Sequence, residues 1–264
     1  PTFSKFSGPI AAPSTSIDGK QTFSPLFGVL ASYPINDKLT FAVGNYLAGG
    51  SHSEYENSAA TPFTIKLSPK TNLSAIDYAA GIGYEVLPGL KIGGSLRYTK
   101  VAATLVSASM LTATTIGETT FLDMKANHFG GFKLGTSYDS GNWGIGLSYR
   151  SEVNFSATGS GSIRTESIPT LGTITTQNLA NPTIHSTLPA QLAFGGHYQL
   201  SSSIQLVGEY AWTNYRKISA LDIGGNLPAT LGGAALPDLN LGFKNQNNLR
   251  IGGSYTLNDA WTLR

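Results

Sequence analysis

Leu87-Pro88-Gly89-Leu90-Lys91-Ile92-Gly93-Gly94-Ser95-Leu96-Arg97-Tyr98-Thr99 is the stretch that decides the fold. Pro88-Gly89 is a turn step. After it, Leu90, Ile92, Leu96 and Tyr98 share one face while Lys91, Ser95 and Arg97 share the other, the period of two that marks a β-strand. The same alternation recurs over 143–150, 192–200, 204–212 and 249–257. Tight turns at Asn36-Asp37, Ser140-Gly141, Ser201-Ser202 and Asn258-Asp259 join further pairs of such segments. Between the hairpins lie long stretches rich in Ser, Thr, Gly, Asn and Ala. Short turns at one end and long loops at the other predict an all-β fold, a transmembrane antiparallel β-barrel of outer-membrane type. A soluble sandwich has no reason to put every long loop at one end.

Composition agrees. The chain has 264 residues, 41% of them hydrophobic, with 31 glycines and no cysteine. No apolar run reaches the roughly 18 residues that a membrane helix needs. A mean hydropathy near zero fits a barrel, whose strands show lipid only one face. Charged residues make up 12%, low for a soluble surface. A scattered net charge of +2 excludes nucleic acid as a partner. The lack of cysteine fits an oxidising compartment, such as that reached by a bacterial outer-membrane protein. No shift in composition marks a boundary, so residues 1–264 read as a single domain. The chain opens Pro1-Thr2-Phe3 and closes on Trp261-Thr262-Leu263-Arg264, which reads as a strand cut in its middle. An internal fragment is therefore expected, with a plug segment and the last strands of the barrel outside it.

About ten strands are expected, over 22–33, 38–49, 72–86, 90–106, 121–139, 142–157, 187–200, 203–219, 241–257 and 260–264, each long enough to cross a bilayer. Long loops are expected after Gly50, Val106, Thr158 and Ala220. Tyr33, Tyr84, Tyr138, Trp143, Tyr198, Tyr255 and Trp261 stand near strand ends. That favours an interfacial aromatic girdle over the ordinary enrichment of aromatics in strands. By parity Asp77, Glu85, Lys91, Arg97, Lys133, Arg150, Glu209 and Arg250 point into the lumen. They read either as the polar groups any wet interior needs or as an electrostatic lining for an anionic ligand head.

Several hairpins have a familiar look. Ser32-Tyr33-Pro34-Ile35-Asn36-Asp37-Lys38-Leu39 with Gly44-Asn45-Tyr46 resembles the second hairpin of the FadL/TodX outer-membrane transporters. Leu147-Ser148-Tyr149-Arg150-Ser151-Glu152-Val153 is similar to a strand end of that family. Leu188-Pro189-Ala190-Gln191-Leu192, followed by Glu209-Tyr210-Ala211-Trp212-Thr213, resembles another of its hairpins. So does Asn247-Asn248-Leu249-Arg250-Ile251-Gly252-Gly253-Ser254-Tyr255 with Trp261-Thr262-Leu263-Arg264. The resemblance implies a monomeric fourteen-stranded barrel closed by an N-terminal hatch. It also implies uptake of long-chain fatty acids or other hydrophobic molecules by spontaneous diffusion, with neither cofactor nor metal.

Under that resemblance the partners are outer-membrane lipid and lipopolysaccharide, and a hydrophobic ligand or detergent. A capture site is expected from loop residues Ile163, Ile168, Leu171, Ile174, Leu221, Ile223, Leu227, Leu231 and Leu236, each of which has simple loop packing as its plainer role. The resemblance further implies a lateral opening in the third strand of the barrel. Here that falls on Gly44, Asn45, Tyr46, Gly49 and Gly50, where glycines in a strand mark a bulge or a close approach. Rival readings are uptake of aromatic hydrocarbons by the same fold, a general porin, and a structural or adhesin barrel. Catalysis is not expected: no nucleophile elbow occurs, and His52, His128, His185 and His197 are too dispersed for a metal motif.

Overall fold

The computed structural model describes residues 5–8, 15–22, 27–55, 58–59, 62–258 and 260–264. In chain order the strands are β1 (Lys5–Gly8), β2 (Thr15–Asp18), β3 (Gly28–Pro34), β4 (Leu39–Glu54), β5 (Ser58–Ala59), β6 (Lys66–Leu67), β7 (Lys70–Leu87), β8 (Leu90–Thr112) and β9 (Thr115–Asp139). Then follow β10 (Trp143–Arg150), β11 (Val153–Ser167), β12 (Thr175–Asn178), β13 (Ala180–Leu188), β14 (Gln191–Gln199), β15 (Ile204–Thr213), β16 (Ala220–Asn226), β17 (Leu239–Asn240), β18 (Gln246–Asn258) and β19 (Trp261–Leu263). Single 3-10 turns cover Ile168–Thr170, Tyr215–Ile218 and Ala229–Leu231.

One antiparallel sheet forms the wall. It runs β3-β4-β7-β8-β9, then continues on the short-turn side through β10, β14, β15, β18 and β19. On the long-loop side it continues from β9 through β11, β13, β16 and β17. Thus β10 with β11, β14 with β13 and β15 with β16 are each one wall strand in two pieces. Counted so, ten strands cross the wall among the described residues, the number that the turn spacing predicts.

The break in the middle pair has a local cause. Pro189 carries no N–H for the ladder. Ser151 turns its own N–H to Phe132 O at 2.9 Å, while Ser151 Oγ accepts from Phe132 N at 2.9 Å. Below the break Arg150 stands opposite Gln191; above it Val153 stands opposite Leu188. Two residues on each side intervene, so the register passes through unchanged.

The loops need correction. The stretches after Val106 and Thr158, read from the sequence as polar loops, are largely strand. β8 runs on to Thr112 and β9 begins at Thr115, leaving a two-residue turn, and β11 continues to Ser167. Past Ala220 lies β16. Above the bilayer the outward face meets water, so apolar alternation no longer marks a strand, while Thr keeps its preference for extended backbone. The expected strand over 203–219 ends at Thr213, and the one over 241–257 begins at Gln246. Residues 23–26 of the expected strand over 22–33, and Asp259 of the last turn, lie outside the described residues.

Outside and inside are inverted relative to a soluble protein. Val29, Ile82, Leu96, Leu134, Phe194 and Ile251 are exposed on the outer face, as lipid contact requires. Tyr33, Tyr84, Tyr138, Trp143, Tyr198, Tyr255 and Trp261 are exposed beside the short turns, forming an interfacial belt.

Candidate ligand channel

Three tiers of side chains line the interior, and β8 displays the sequence that stacks them. Along its inward face come Ser95, Arg97, Thr99, Val101, Ala103 and Leu105. The tier nearest the long loops is apolar. Val101, Leu105, Phe121, Met124, Ala126, Val153, Ala157, Ile184 and Leu188 from the strands pack with Ile163, Leu179, Ile223 and Leu236, all buried, and with Ala75 beneath. Leu221, Leu227 and Leu231 pack against them, partly buried. The interior is narrow at the foot of this tier, where a Cβ on Gly49 of β4 would lie 3.7 Å from Leu188 Cδ2 of β13.

The middle tier is charged. Arg97 and Asp77, both buried, pair at 2.9 Å. Asp77 also accepts from Tyr46 Oη at 2.9 Å and Thr99 Oγ1 at 2.6 Å, and Arg97 Nη2 donates to Ser151 O at 3.1 Å. Arg150 reaches across the interior, donating Nη1 to Ala48 O of β4 at 3.1 Å and Nη2 to Pro189 O at 3.3 Å. Lys133 Nζ lies 4.1 Å from the centroid of the Tyr46 ring, a cation–π contact. Three cations thus share one carboxylate. The Nε atoms of Arg97 and Arg150 are buried without a hydrogen-bond partner.

Below this tier an open cleft of about 770 Å³ runs toward the short turns, lined chiefly by small side chains such as Ala42, Gly44, Ala79, Gly81 and Ser95, with Tyr46 and Lys133 at its top. Near its lower end Glu209 pairs with Arg250, and Glu85 accepts from Gly89 N at 3.0 Å beside Lys91.

At the loop end a strap crosses the mouth. Phe63, Ile65 and Leu67 are buried against Ile116. The buried carboxylate of Glu166 receives Thr64 N, Thr64 Oγ1, Ile65 N and Gly172 N at 2.6–2.7 Å. Burial alone would push its pKa up; the Thr64 hydroxyl and the three backbone donors outweigh that and hold it at about 2. Glu118 receives Ser68 N at 2.6 Å and pairs with Arg164.

Of the loop residues expected to capture ligand, Ile163, Leu221, Ile223, Leu227, Leu231 and Leu236 come together in the apolar tier. Ile168, Leu171 and Ile174 do not; all three are exposed beside the 3-10 turn. Gly44, Asn45, Tyr46, Gly49 and Gly50 sit in a strand whose pairing with β7 shifts once, at Ala48, between Leu47–Ile76 and Gly49–Ala75, and then resumes. That single bulge presents Ala48 O to Arg150. The strand-borne half of the apolar tier went unread, although its signal was present: Val101 and Leu105 share the parity of Arg97.

Comparison with known proteins agrees with this geometry. The model of the outer membrane protein transport protein family (OMPP1/FadL/TodX) matches residues 15–264. Outer membrane protein P1 of Haemophilus influenzae is 26% identical over 259 residues, covering 88% of this chain and 53% of P1. The chain thus spans about half the length of the curated relatives it matches. Among solved structures, the Pseudomonas putida toluene transporter TodX superposes with a TM-score of 0.71 at 14% identity, covering 93% of this chain and 66% of TodX. The Ralstonia pickettii toluene transporter TbuX gives 0.70 at 16% identity, over 98% and 70%. A Pseudomonas aeruginosa FadL homologue gives 0.68 at 13% identity, over 94% and 58%. With its barrel wall, lipid-facing exterior and a family match over nearly all its length, the chain belongs to the OMPP1/FadL/TodX family of outer-membrane transport proteins.

Proposed function

We propose that the protein is a channel for uptake of hydrophobic small molecules across the bacterial outer membrane, with long-chain fatty acids as its cargo. The supporting observation is the stacking of an apolar tier directly on a cation-rich tier. A fatty acid captured among the loops replaces side chains such as Leu179, Ile223 and Leu236 with its tail. Its carboxylate then meets the excess positive charge of Arg150 and Lys133. An apolar tail gains nothing from a water-filled pore, so an apolar path is what such a cargo needs. Below that path the charged tier opposes a tail moving straight down the axis, and the cargo leaves sideways through the wall.

The test is transfer of a labelled long-chain fatty acid and of toluene, side by side, into liposomes carrying the full-length protein. Losing one charged hydrogen bond to the head, about 1.5–3 kcal/mol, lowers fatty-acid transfer about tenfold or more. Arg150→Ala is expected to do this while leaving toluene transfer unchanged. Toluene transfer with no response of fatty acid to the substitution assigns aromatic hydrocarbons as cargo. Transfer of neither, with steady ion conductance in planar bilayers, overturns the reading in favour of a porin.

A further inference from the structure

The wall contains a second interruption, larger than the bulge at Ala48. β9 pairs with β10 from Asp139 to Lys133, and with β11 from Lys125 to Thr115. Between these, residues 126–132 of β9 and 151–157 of β11 make no ladder pairs, apart from the two Phe132–Ser151 bonds at the lower end. Over the same span β9 stays paired with β8, and β11 from Val153 with β13. Lys133–Arg150 and Lys125–Thr158 have the same register, so the two strands part and rejoin without a slip.

Both ends of the slot are built. At the top, Asp123 has φ +52°, and the β9–β11 register shifts at Gly159, whose Cβ, if present, would lie 2.6 Å from Leu122 O. At the bottom, Gly130 has φ +126° and forms a bulge against β8 between Tyr98–Phe129 and Arg97–Gly131. Gly131 must stay bare: a Cβ there would come within 2.8 Å of both Arg97 Nη2 and Val153 Cγ2. Val153, Ala157 and Ala126 on the inner side belong to the apolar tier. Phe129 and Phe132 on the outer side are exposed, Phe129 at 72%.

Height places the slot against lipid. From Leu90 to Lys100, at roughly 3.3 Å per residue and a tilt of about 40°, β8 climbs about 25 Å, the height of the apolar band of such barrels. Lys100 lies at the top of that climb, with Nζ 5.5 Å and 5.9 Å from the Tyr78 and Tyr98 rings, and it pairs with Asn127 in the slot. On the same scale residues 132 to 126 lie about 15 to 30 Å above the short turns, in the outer-leaflet half of the band. Unpaired backbone at that depth must be screened by protein or by whatever occupies the opening. The buried Arg97–Asp77 pair lies at the foot of the slot.

We propose that this slot between β9 and β11, and not the bulge in β4, is the lateral door, passing a hydrophobic ligand between the apolar tier and the outer leaflet. This rests on the sideways exit proposed above. Val153 is the leaf of the door and the Arg97–Asp77 tier its sill.

Two measurements on the full-length protein test it. The first reads the opening without reference to transport. A fluorophore on Phe155→Cys, inward-facing beside the slot in a chain without cysteine, is expected to be quenched by lipids brominated in the acyl chain. Quenching should approach that of Phe129→Cys, and Ser148→Cys, inward-facing behind an intact ladder, should stay unquenched. Equal protection of Phe155→Cys and Ser148→Cys overturns the door whether or not the protein transports anything. The second reads passage: Asn127→Cys with Ser156→Cys, opposite each other in the shared register, is oxidised to staple the slot. Fatty-acid transfer should fall at least tenfold and return on reduction, while a staple at Thr136 and Leu147 should change nothing. Transfer unaffected by the Asn127–Ser156 staple overturns the proposal and leaves uptake standing.

Discussion

Asp77 holds three side chains at once, from Tyr46, Arg97 and Thr99. Removing it strands the Arg97 guanidinium in a site with 1% exposure. Breaking a buried pair from one side costs about 3–5 kcal/mol, because the remaining charge stays desolvated. Asp77→Ala is therefore expected to lower the urea midpoint of the folded barrel strongly, and the double variant Asp77→Ala/Arg97→Met should recover much of the loss. Arg150 raises a different question, that of shape. Its fork reaches Ala48 O and Pro189 O together, which the single ammonium of lysine cannot do. Arg150→Lys should keep fatty-acid transfer closer to normal than Arg150→Ala, yet lose thermal stability, as read from the temperature at which the folded band disappears on a gel.

At the scale of elements, the short turns and the strands that cross lipid were plain in the sequence, since lipid demands strict alternation and each turn carries its own chemistry. Asn36 shows the latter: its Oδ1 accepts from Lys38 N and Leu39 N, both at 2.9 Å. Asn36→Ala should cost about 1–2 kcal/mol at roughly 1 kcal/mol per bond, measured by urea unfolding. The extensions of β8, β9 and β11 beyond the membrane were not legible, because one face meets water and the other the apolar tier. A Thr-rich strand in that setting looks like a polar loop. The apolar tier was half legible for a related reason. Its loop residues stand out against polar neighbours, whereas Val101, Leu105 and Val153 hide among the lipid-facing apolar residues of their own strands. The parting of β9 from β11 left no periodic trace, since parity is unchanged across it.

At the scale of the molecule, the strap over the mouth is fastened by one carboxylate. Glu166 has a folded pKa of about 2 against an ordinary value of 4.5. A depressed acid contributes stability in full above its unfolded value and loses it as pH falls toward the folded one. The strap should hold at neutral pH and loosen between roughly pH 4.5 and 2, read as loss of amide protection over residues 62–68 ahead of the membrane strands. Glu166→Gln should release the same segment at neutral pH. The uninterrupted register at Ser151-Glu152 and Pro189-Ala190 bears on the family's history. Because both ladders resume in step above the joint, the outer half of these strands behaves as a cassette. Its length, loops and apolar lining can be exchanged between relatives without realigning a single pair inside the bilayer. New cargo can then be accommodated by a barrel whose anchoring in the membrane never changes.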